Sequence, residues 1–467
     1  MKKEKSIGIL IKTSHDCNLN CEYCFDKTNR EKYKGMRLSV DDIKKTVDLV
    51  SNHARRVDWI WHGGEPMCVP KETYLALQEH INGKYTNMIE QSMQTNGSLF
   101  DEEWRDFVVE NDIAVGISYD GKDSIRHGEV SKEVIADNIK AYSAVSDSAG
   151  TITVINESNY DRQIEIYEEI AALNVNSISF NHVFSTDRNE TQNLHFDLDK
   201  YQKEYIKFAE YLLDNRKMLE RSVKLLIRTV LGDEYHLCSH GDCRRAWLGI
   251  EPDGTVVPCD RYYPEKYWMG NVKTAKSVNE LYDSPGYQLF CSEIEKKYVD
   301  YCYDCKYFFH CNGGCNADSI AKYNSAAILD EFSCKWFKKS FNATYYVLRK
   351  MDGLGNPNLH PDIEKLLVSE YRYLPKEIFA AIKRNLGIEV SLLSDEYVLN
   401  SDEGLIDSKE FKLFRLFNPF TVKGMNYGIN STGTHSTAKN KMDRRETAID
   451  KFIQDNLVEI LHIISEG

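Results

Sequence analysis

The sequence predicts an α/β protein in three parts, which are an open partial (β/α)6 barrel, a cysteine-rich segment and a mostly helical C-terminal segment. Three observations lead to this prediction. Six short apolar runs alternate with amphipathic stretches in the first half of the chain. All 13 cysteines lie from Cys17 to Cys334, and the helix-like patterns of the last part follow them. The expected domain boundaries are therefore 1–235, 236–349 and 350–467.

The barrel is predicted from the alternation of strand-like and helix-like patterns. The six strands are apolar runs at 6–13, 57–61, 88–94, 113–119, 151–155 and 177–183. The stretches between them include amphipathic helices at 40–52, 71–81, 134–144 and 163–173. Such units predict a parallel sheet with helices outside it, and six units are too few for a closed eight-stranded barrel. Functional side chains are expected where the parallel strands end.

The remaining segments differ from the barrel in their patterns. The stretch 201–231 predicts one long helix or two. From Cys238 to Cys334, cysteines and turn signals such as Asp253-Gly254 replace strong periodicity, so metal is expected to hold this segment together. Beyond residue 350 the pattern is mostly helical, with a polar, turn-rich interval at 423–445.

Composition and charge exclude several classes of function. A net charge of −13 argues against nucleic acid as a partner, because phosphate binding needs a basic surface. No run approaches the ~18 apolar residues that cross a membrane, and no signal-peptide pattern is present, so a cytoplasmic location is expected. In a reducing compartment, clustered cysteines bind metal more often than they form disulfides.

The first cysteine motif, Cys17, Cys21 and Cys24, follows the first predicted strand directly. Three thiolates can ligate three irons of a cubane cluster and leave the fourth iron open, whereas an inert cluster normally has four ligands. An open coordination position is where a metal centre takes on a substrate. A zinc site and three structural cysteines are the alternatives that the motif alone leaves open.

The neighbouring motifs resemble the radical S-adenosylmethionine (SAM) superfamily over roughly residues 6–235. Gly63-Gly64-Glu65-Pro66 ends the second strand, like the GGEP motif with which family members hold the amino group of SAM. The alternative is a purely structural turn between a strand and a helix, with Pro66 at the first position of the helix. The resemblance implies a 4Fe–4S cluster on the three cysteines, with Gly63, Gly64 and Glu65 as SAM contacts.

Three further SAM contacts are implied by the resemblance alone. Tyr23 would lie beside the adenine, and Ser118 would face the ribose or the carboxylate. Arg126 would meet the carboxylate, although a solvated arginine at a helix start explains it equally well.

Eight later cysteines resemble those of the SPASM domain, which carries auxiliary clusters in peptide-modifying radical SAM enzymes. Eight are enough for two fully ligated 4Fe–4S clusters, which makes three clusters in all. By resemblance to the anaerobic sulfatase-maturating enzymes, the first auxiliary cluster is held by Cys238, Cys243, Cys259 and Cys315. The second is held by Cys302, Cys305, Cys311 and Cys334. A zinc ribbon is the alternative, and Cys68 and Cys291 are left over as inert packing residues.

Asp260 follows the predicted cluster ligand Cys259 directly. In sulfatase maturases the aspartate at this place takes the substrate proton, so the resemblance implies a general base. The alternative is a carboxylate that accepts backbone N–H groups in the turn after Cys259.

The resemblance implies an oxidoreductase in which SAM is cleaved to a 5′-deoxyadenosyl radical that abstracts hydrogen. The SPASM-like block and the long C-terminal segment lead us to expect a maturase that crosslinks residues of a ribosomally made peptide (RiPP maturation). An anaerobic sulfatase maturase forming formylglycine is the alternative, and oxidation of a small alcohol is a third. A non-catalytic iron–sulfur carrier would not need the SAM-binding motif. The expected partners are a peptide or protein substrate and a flavodoxin- or ferredoxin-type reductant, and the C-terminal segment is expected either to help recognise the peptide or to serve as packing.

Overall fold

The computed structural model describes residues 6–82, 84–85, 88–122, 131–187, 194–233, 238–261, 263–369, 372–419 and 438–466. The chain forms two compact units. The first comprises Met1–Phe196, Gly241–Tyr301 and Gly313–Asp330, and the second comprises Asp197–His240, Cys302–Asn312 and Glu331–Gly467. The predicted three-domain division stays a prediction.

A nine-stranded sheet forms the centre of the first unit. Its strands are β1 Ile7–Lys12, β2 Val57–His62, β3 Ile89–Thr95, β4 Ile113–Ser118, β5 Gly150–Ile155, β6 Ser177–His182, β7 Trp247–Ile250, β8 Thr255–Val257 and β9 Gly270–Asn271. Their order is β6-β5-β4-β3-β2-β1-β7-β8-β9. The strands β1 to β6 are parallel, so the predicted α/β core and all six of its strands are confirmed. The strand β7 joins β1 in parallel, and β8 and β9 follow as antiparallel strands.

The strands alternate between two environments. In β2 the side chains of Val57, Trp59 and Trp61 are buried, whereas His62 is half-buried. The Trp61 ring lies 4.6 Å from Tyr74 of the following helix, so the buried row faces the helices. Because successive side chains of a strand point to opposite faces, His62 and its half-buried neighbours line the other face, which we term the inner face.

The helices of the described residues alternate with these strands and then form the second unit. They are α1 Lys27–Lys32, α2 Val40–His53, α3 Lys71–Ile81, α4 Glu102–Glu110, α5 Lys132–Ser143, α6 Gln163–Ala171, α7 Leu198–Asp214, α8 Arg221–Val230, α9 Val278–Tyr282, α10 Pro285–Lys297, α11 Phe308–Cys311, α12 Asn316–Tyr323, α13 Glu331–Lys350, α14 Pro361–Ser369, α15 Pro375–Leu386, α16 Asp395–Asn400, α17 Gly404–Asp407, α18 Lys409–Phe417, α19 Ala438–Asp455 and α20 Leu457–Ser465.

Local capping explains where several barrel helices begin. The side chains of Ser39, Asp101 and Ser131 each accept a hydrogen bond from a backbone N–H in the first turn of α2, α4 and α5. The four predicted barrel helices are confirmed within a few residues. No bounds were predicted for α4, which completes one of the six expected strand–helix units, and α1 was not predicted.

The second unit is built around α13. The Tyr205 hydroxyl of α7 lies 2.8 Å from Thr344 Oγ1, and the Tyr345 ring packs against Phe411 and Phe414 of α18. The stretch 201–231 forms two helices, and Arg216 between them adopts a positive φ of 51°. The predicted mostly helical C-terminal segment is confirmed. Among the described helices, none combines the length and the apolar character that a membrane span requires.

Candidate functional site

The loop after β1 brings the first three cysteines together. Cys17, Cys21 and Cys24 pack with Leu19 and Tyr23 in one apolar cluster. The Cys17 sulfur accepts hydrogen bonds from the Leu19 backbone N–H at 3.4 Å and from Asn96 Nδ2 at 3.8 Å. Burial raises the pKa of Cys17 and raises that of Cys24 to about 11. Iron must therefore displace thiol protons when it binds, because the thiolate is the ligand.

This arrangement fits a cubane cluster by the chemistry of its donors. The three cysteines are free thiols in an apolar setting, and backbone and amide N–H groups point at one of the sulfurs. Within the described ranges, no three His, Cys, Asp or Glu side chains are placed to hold a single metal ion. A cubane makes a different demand, because each thiolate binds its own iron.

The two glycines after β2 allow that loop to lie against the cysteine loop. A Cβ on Gly63 would lie 2.3 Å from the Ser14 carbonyl oxygen, and one on Gly64 would lie 2.3 Å from those of His15 and Asp16. The N–H of Gly64 also donates to Ser14 O at 3.3 Å. Gly63 has a φ of +124°, a conformation that glycine tolerates. The described structure thus gives both glycines a contact within the chain, and their contact with SAM stays a prediction.

Glu65 connects this loop to the end of β3. Its buried carboxylate accepts hydrogen bonds from Thr95 Oγ1 at 2.7 Å, from the Asn96 N–H at 2.7 Å and from the Met67 N–H at 3.0 Å. Asn96 is the residue whose side chain reaches the Cys17 sulfur. Glu65 therefore holds Asn96 in the position from which its side chain contacts Cys17.

The remaining predicted SAM contacts are distributed along the strand ends. The Tyr23 hydroxyl donates to Asp120, whose other carboxylate oxygen accepts the Val154 N–H at 2.8 Å. Ser118 Oγ accepts a hydrogen bond from Gln94 Nε2 at 2.8 Å. Arg126 lies outside the described residues.

A buried charge network, which sequence reasoning missed, lies behind the cysteine loop. Lys12 Nζ lies 3.0 Å from Glu251 and 3.7 Å from Asp26. His15 bridges the same two carboxylates, with Nδ1 2.5 Å from Asp26 and Nε2 2.6 Å from Glu251. All four side chains are almost completely excluded from solvent. The network joins Asp26, two residues after Cys24, to Glu251 at the end of β7.

Opposite charges in this network shift the pKa values of Lys12, His15 and Asp26. Burial by itself would raise the pKa of Asp26, but the opposite charges of Lys12 and His15 lower it by more, to about 2. Burial lowers the pKa of Lys12, while the carboxylates of Glu251, Asp26 and Asp260 raise it by more. The pKa of His15 is likewise raised by Asp26 and Glu251 against the effect of burial. Because these buried groups are not hydrated, the positive charges and the carboxylates stabilise one another.

Asp260 lies near this network at the inner face. Its carboxylate raises the pKa of Lys12 and, against the larger effect of burial, that of His62. Within the described residues its side chain makes no hydrogen bond, and the N–H of the next residue, Arg261, is directed to the Cys259 sulfur. The Nδ1 atom of His62 is buried and has no hydrogen-bond partner among the described residues.

Arg261 is fixed beside Asp260. Its guanidinium donates to Asp318 at 2.8 Å and to the Ser185 carbonyl oxygen at 2.7 Å, and it lies 4.1 Å from the ring centre of Phe184. The chain around Asp260 is therefore held by buried contacts.

The predicted auxiliary ligands fall into both units. Cys243, Cys259 and Cys315 lie in the first unit, where burial raises the pKa of each thiol. Cys259 interacts electrostatically with both Cys243 and Cys315, which places the three close together. Cys238 belongs to the second unit.

The second predicted set lies entirely in the second unit. It consists of Cys302, Cys305, Cys311 and Cys334. Lys338 of α13 interacts electrostatically with both Cys305 and Cys334. The Cys305 N–H donates to the Cys302 carbonyl oxygen at 3.0 Å in a tight turn. These cysteines stay predicted ligands.

The two leftover cysteines have different surroundings. Cys291 of α10 contacts Tyr287, as a packing residue would. Cys68 interacts with Cys17 and with the Asn18 backbone, and burial raises its pKa to about 11. Both are half-buried. Because burial raises the pKa of the predicted ligand Cys24 to the same value, this shift does not distinguish the two groups, and the inert role of Cys68 and Cys291 stays a prediction.

Comparison with protein families matches two parts of the chain. The model described as the radical SAM superfamily matches residues 11–191, and SPASM, described as an iron–sulfur cluster-binding domain, matches residues 238–306. The cysteine-type anaerobic sulfatase-maturating enzyme of Clostridium perfringens is 29% identical over 369 residues, which cover 73% of this chain and 96% of that protein.

Two solved structures are similar in fold. Native anSMEcpe with bound AdoMet and the Cp18Cys peptide superposes with a TM-score of 0.62 at 26% identity, covering 73% of this chain and 97% of that one. Streptococcus suis SuiB bound to its precursor peptide SuiA has a TM-score of 0.52 at 17% identity, with coverages of 71% and 76%.

Proposed function

This chain is a radical SAM enzyme with a SPASM domain, and from that premise we propose that it oxidises a residue of a peptide or protein, with Asp260 as proton acceptor. The observation that supports this role is the placement of the Asp260 carboxylate at the inner face, beside Lys12 and His62 and free of hydrogen bonds within the described residues. The solved anSMEcpe complex with a peptide supports a peptide substrate.

In the proposed reaction, some residues of this chain bind the cluster and another accepts a proton from the substrate. Cys17, Cys21 and Cys24 would hold the cluster, and Glu65 holds Asn96 against Cys17. When bound, the cluster and SAM supply hydrogen-atom abstraction by a 5′-deoxyadenosyl radical. The substrate would also give up a proton, which an Asp260 carboxylate oxygen would accept, and one electron, for which a cluster held by the later cysteines would be the acceptor.

Formylglycine formation from a cysteine or serine is the first candidate reaction. It is supported by the 29% identical sulfatase-maturating relative and by the Cys259-Asp260 pair. The sequence analysis gave formylglycine formation only as the alternative to peptide crosslinking, and this ranking is now reversed.

Crosslinking of a ribosomally made peptide is the second candidate. It is favoured by the long helical segment that follows α13. The sulfatase-maturating relative is covered almost completely by a match to 73% of this chain, so this chain is longer than that relative requires. We propose that this additional segment contributes to peptide recognition.

The test is to incubate anaerobically reduced holoenzyme and SAM with a sulfatase-type peptide and with candidate precursor peptides. Conversion of a cysteine or serine of the sulfatase-type peptide to an aldehyde, trapped with a hydrazine reagent, supports the first candidate. Loss of two hydrogens from a precursor peptide without a trappable aldehyde, with two linked residues found by fragmentation, supports the second. Asp260→Asn should lower peptide oxidation roughly 10²–10⁴-fold while SAM cleavage continues. Asp253→Asn is the matched control, because Asp253 accepts the Thr255 N–H in the turn of the same hairpin. Full peptide oxidation by Asp260→Asn would reject the proposed role.

Three 4Fe–4S clusters and a flavodoxin- or ferredoxin-type reductant complete the proposal. The eleven cysteines of the three predicted sets would hold about twelve irons. Iron analysis of the anaerobically purified protein measures this number directly.

A further inference from the structure

We propose that the cationic surface formed by residues 27–37 docks a small acidic one-electron carrier protein beside Cys17. The surface consists of α1 and the turn that follows it. The inference rests on the assignment as a radical SAM enzyme and is independent of which peptide residue is oxidised.

The charge of this surface is opposite to that of the protein. Residues 27–37 contain five cationic side chains and one carboxylate, Glu31, in a chain of net charge −13. Lys32, Lys34 and Arg37 are exposed, and Lys27 and Arg30 are half-buried. A local positive surface on a negative protein attracts and orients an acidic partner while the rest of the molecule repels it.

The cationic surface is attached to the cysteine loop. Arg30 Nη2 donates to the Cys17 carbonyl oxygen at 3.3 Å, and Lys27 Nζ donates to that of Glu22 at 3.1 Å. The Tyr33 ring stacks on the buried His15 with 5.3 Å between ring centres. A partner bound here therefore contacts an element that is held against the predicted cluster ligands.

A cavity leads from this surface to the first cysteine. It has a volume of about 480 Å³, and its lining includes Cys17, the cations Lys27, Arg30 and Lys34, and the carboxylates Asp16 and Glu31. The residues that line it include neither Asp260, the proposed proton acceptor, nor Ser118, a predicted SAM contact. Electron transfer slows steeply with distance, so a carrier should dock where the redox centre lies nearest the surface. The cavity provides that approach without entering the substrate site.

The chemistry of the encounter is a transfer of one electron. The carrier is oxidised by one electron, the centre held by Cys17, Cys21 and Cys24 is reduced by one, and no atoms are exchanged. An acidic carrier fits the cations of this surface, and the exposed Met36 within it, 46% accessible, offers an apolar contact. An acidic stretch of the peptide substrate is the competing occupant, and the experiment separates the two.

The test uses reconstituted holoenzyme and a purified flavodoxin as the acidic carrier. Lys32→Glu/Lys34→Glu reverses two exposed charges of the surface, and Lys203→Glu/Lys207→Glu reverses two exposed charges of α7 as the matched control. Binding of the oxidised carrier, and separately of a synthetic acidic peptide, is measured by calorimetry at low and high salt. SAM cleavage is measured with the reduced carrier and, separately, with dithionite.

The surface variant should bind flavodoxin roughly 10-fold more weakly or worse at low salt, and its affinity should depend less on salt. Its carrier-driven SAM cleavage should fall by a similar factor, while dithionite-driven cleavage stays within about 2-fold because the cysteine loop is intact. The control variant should match the unmodified enzyme in every assay. Unchanged flavodoxin affinity, an equal loss in the control, a parallel loss with dithionite, or weaker binding of an acidic peptide alone would each overturn the proposal.

Discussion

Replacing Lys12 by methionine tests whether the buried charge network stabilises the cysteine loop. Lys12 Nζ lies 3.0 Å from Glu251 and 3.7 Å from Asp26, and its side chain has no solvent exposure. Methionine matches the shape of lysine and removes the charge, so that His15 alone is left to compensate two buried carboxylates. Breaking a buried pair by removal of one partner costs about 3–5 kcal/mol, because the remaining charge is unpaired and cannot be hydrated.

The expected loss is large enough to measure by thermal unfolding. One kcal/mol shifts the midpoint of a unit of 150–250 residues by about 2–4 °C, so the variant should unfold roughly 6–20 °C lower, with the smaller values expected for a larger unit. The measurement compares anaerobic samples at one scan rate by circular dichroism. The variant should also retain less iron at the first cluster, because Asp26 lies two residues after Cys24.

Two controls isolate the charge effect. Arg56→Met removes an exposed cation paired with Asp58 and Glu90, and solvent screening should make its effect small. Adding Glu251→Gln to Lys12→Met removes one of the uncompensated carboxylates and should recover part of the lost stability. A Lys12→Met protein that unfolds within about 2 °C of the unmodified protein would refute the reasoning.

Three other variants test the site. Gly64→Ala places a Cβ 2.3 Å from the carbonyl oxygens of His15 and Asp16. It should push the glycine loop away from the cysteine loop, at a cost of about 1–3 kcal/mol of folding stability, and lower the iron content. Normal iron content in this variant would contradict the importance of the contact. Glu65→Ala leaves Thr95 Oγ1 and the Asn96 N–H without their acceptor, at about 1–3 kcal/mol for each buried group, which chemical denaturation measures. Cys334→Ala should lose about four irons whereas Cys291→Ala loses none, and equal iron analyses for the two would reject the assignment of Cys334 as a ligand.

Much of the fold followed from local patterns. The six barrel strands were predicted because runs such as 113–119 are apolar, short and bounded by turns, and the helix 71–81 repeats apolar residues at helical spacing. The break near Arg216 was left open, since a residue in a left-handed conformation carries no reliable signal of its own. The short helix α1 was missed because its six residues are polar and lack an apolar stripe.

The candidate site divides in the same way. The cysteine motif and the glycine loop could be picked out because their residues lie close together in sequence, whereas the role of Asp260 was implied only by the family resemblance and stays a proposal. The packing of the glycine loop against the cysteine loop could not be predicted, because Gly64 contacts His15 and Asp16 only when β1 and β2 are paired. Ser118 and Tyr23 lie at the end of β4 and in the cysteine loop respectively, while their predicted contacts to SAM remain to be measured.

By itself, the sequence determined the αβ alternation, the metal-binding character of the cysteines and the position of the reactive motifs at strand ends, because each depends on spacing over a few residues. Only the tertiary structure decided that Lys12 and Glu251, 239 residues apart, share one buried network, and that β7 of the cysteine-rich segment extends the barrel sheet. The physical reason is that burial and pairing of charges arise from long-range contacts. A lysine at the end of an apolar strand reveals nothing of its partner until the chain has folded around both.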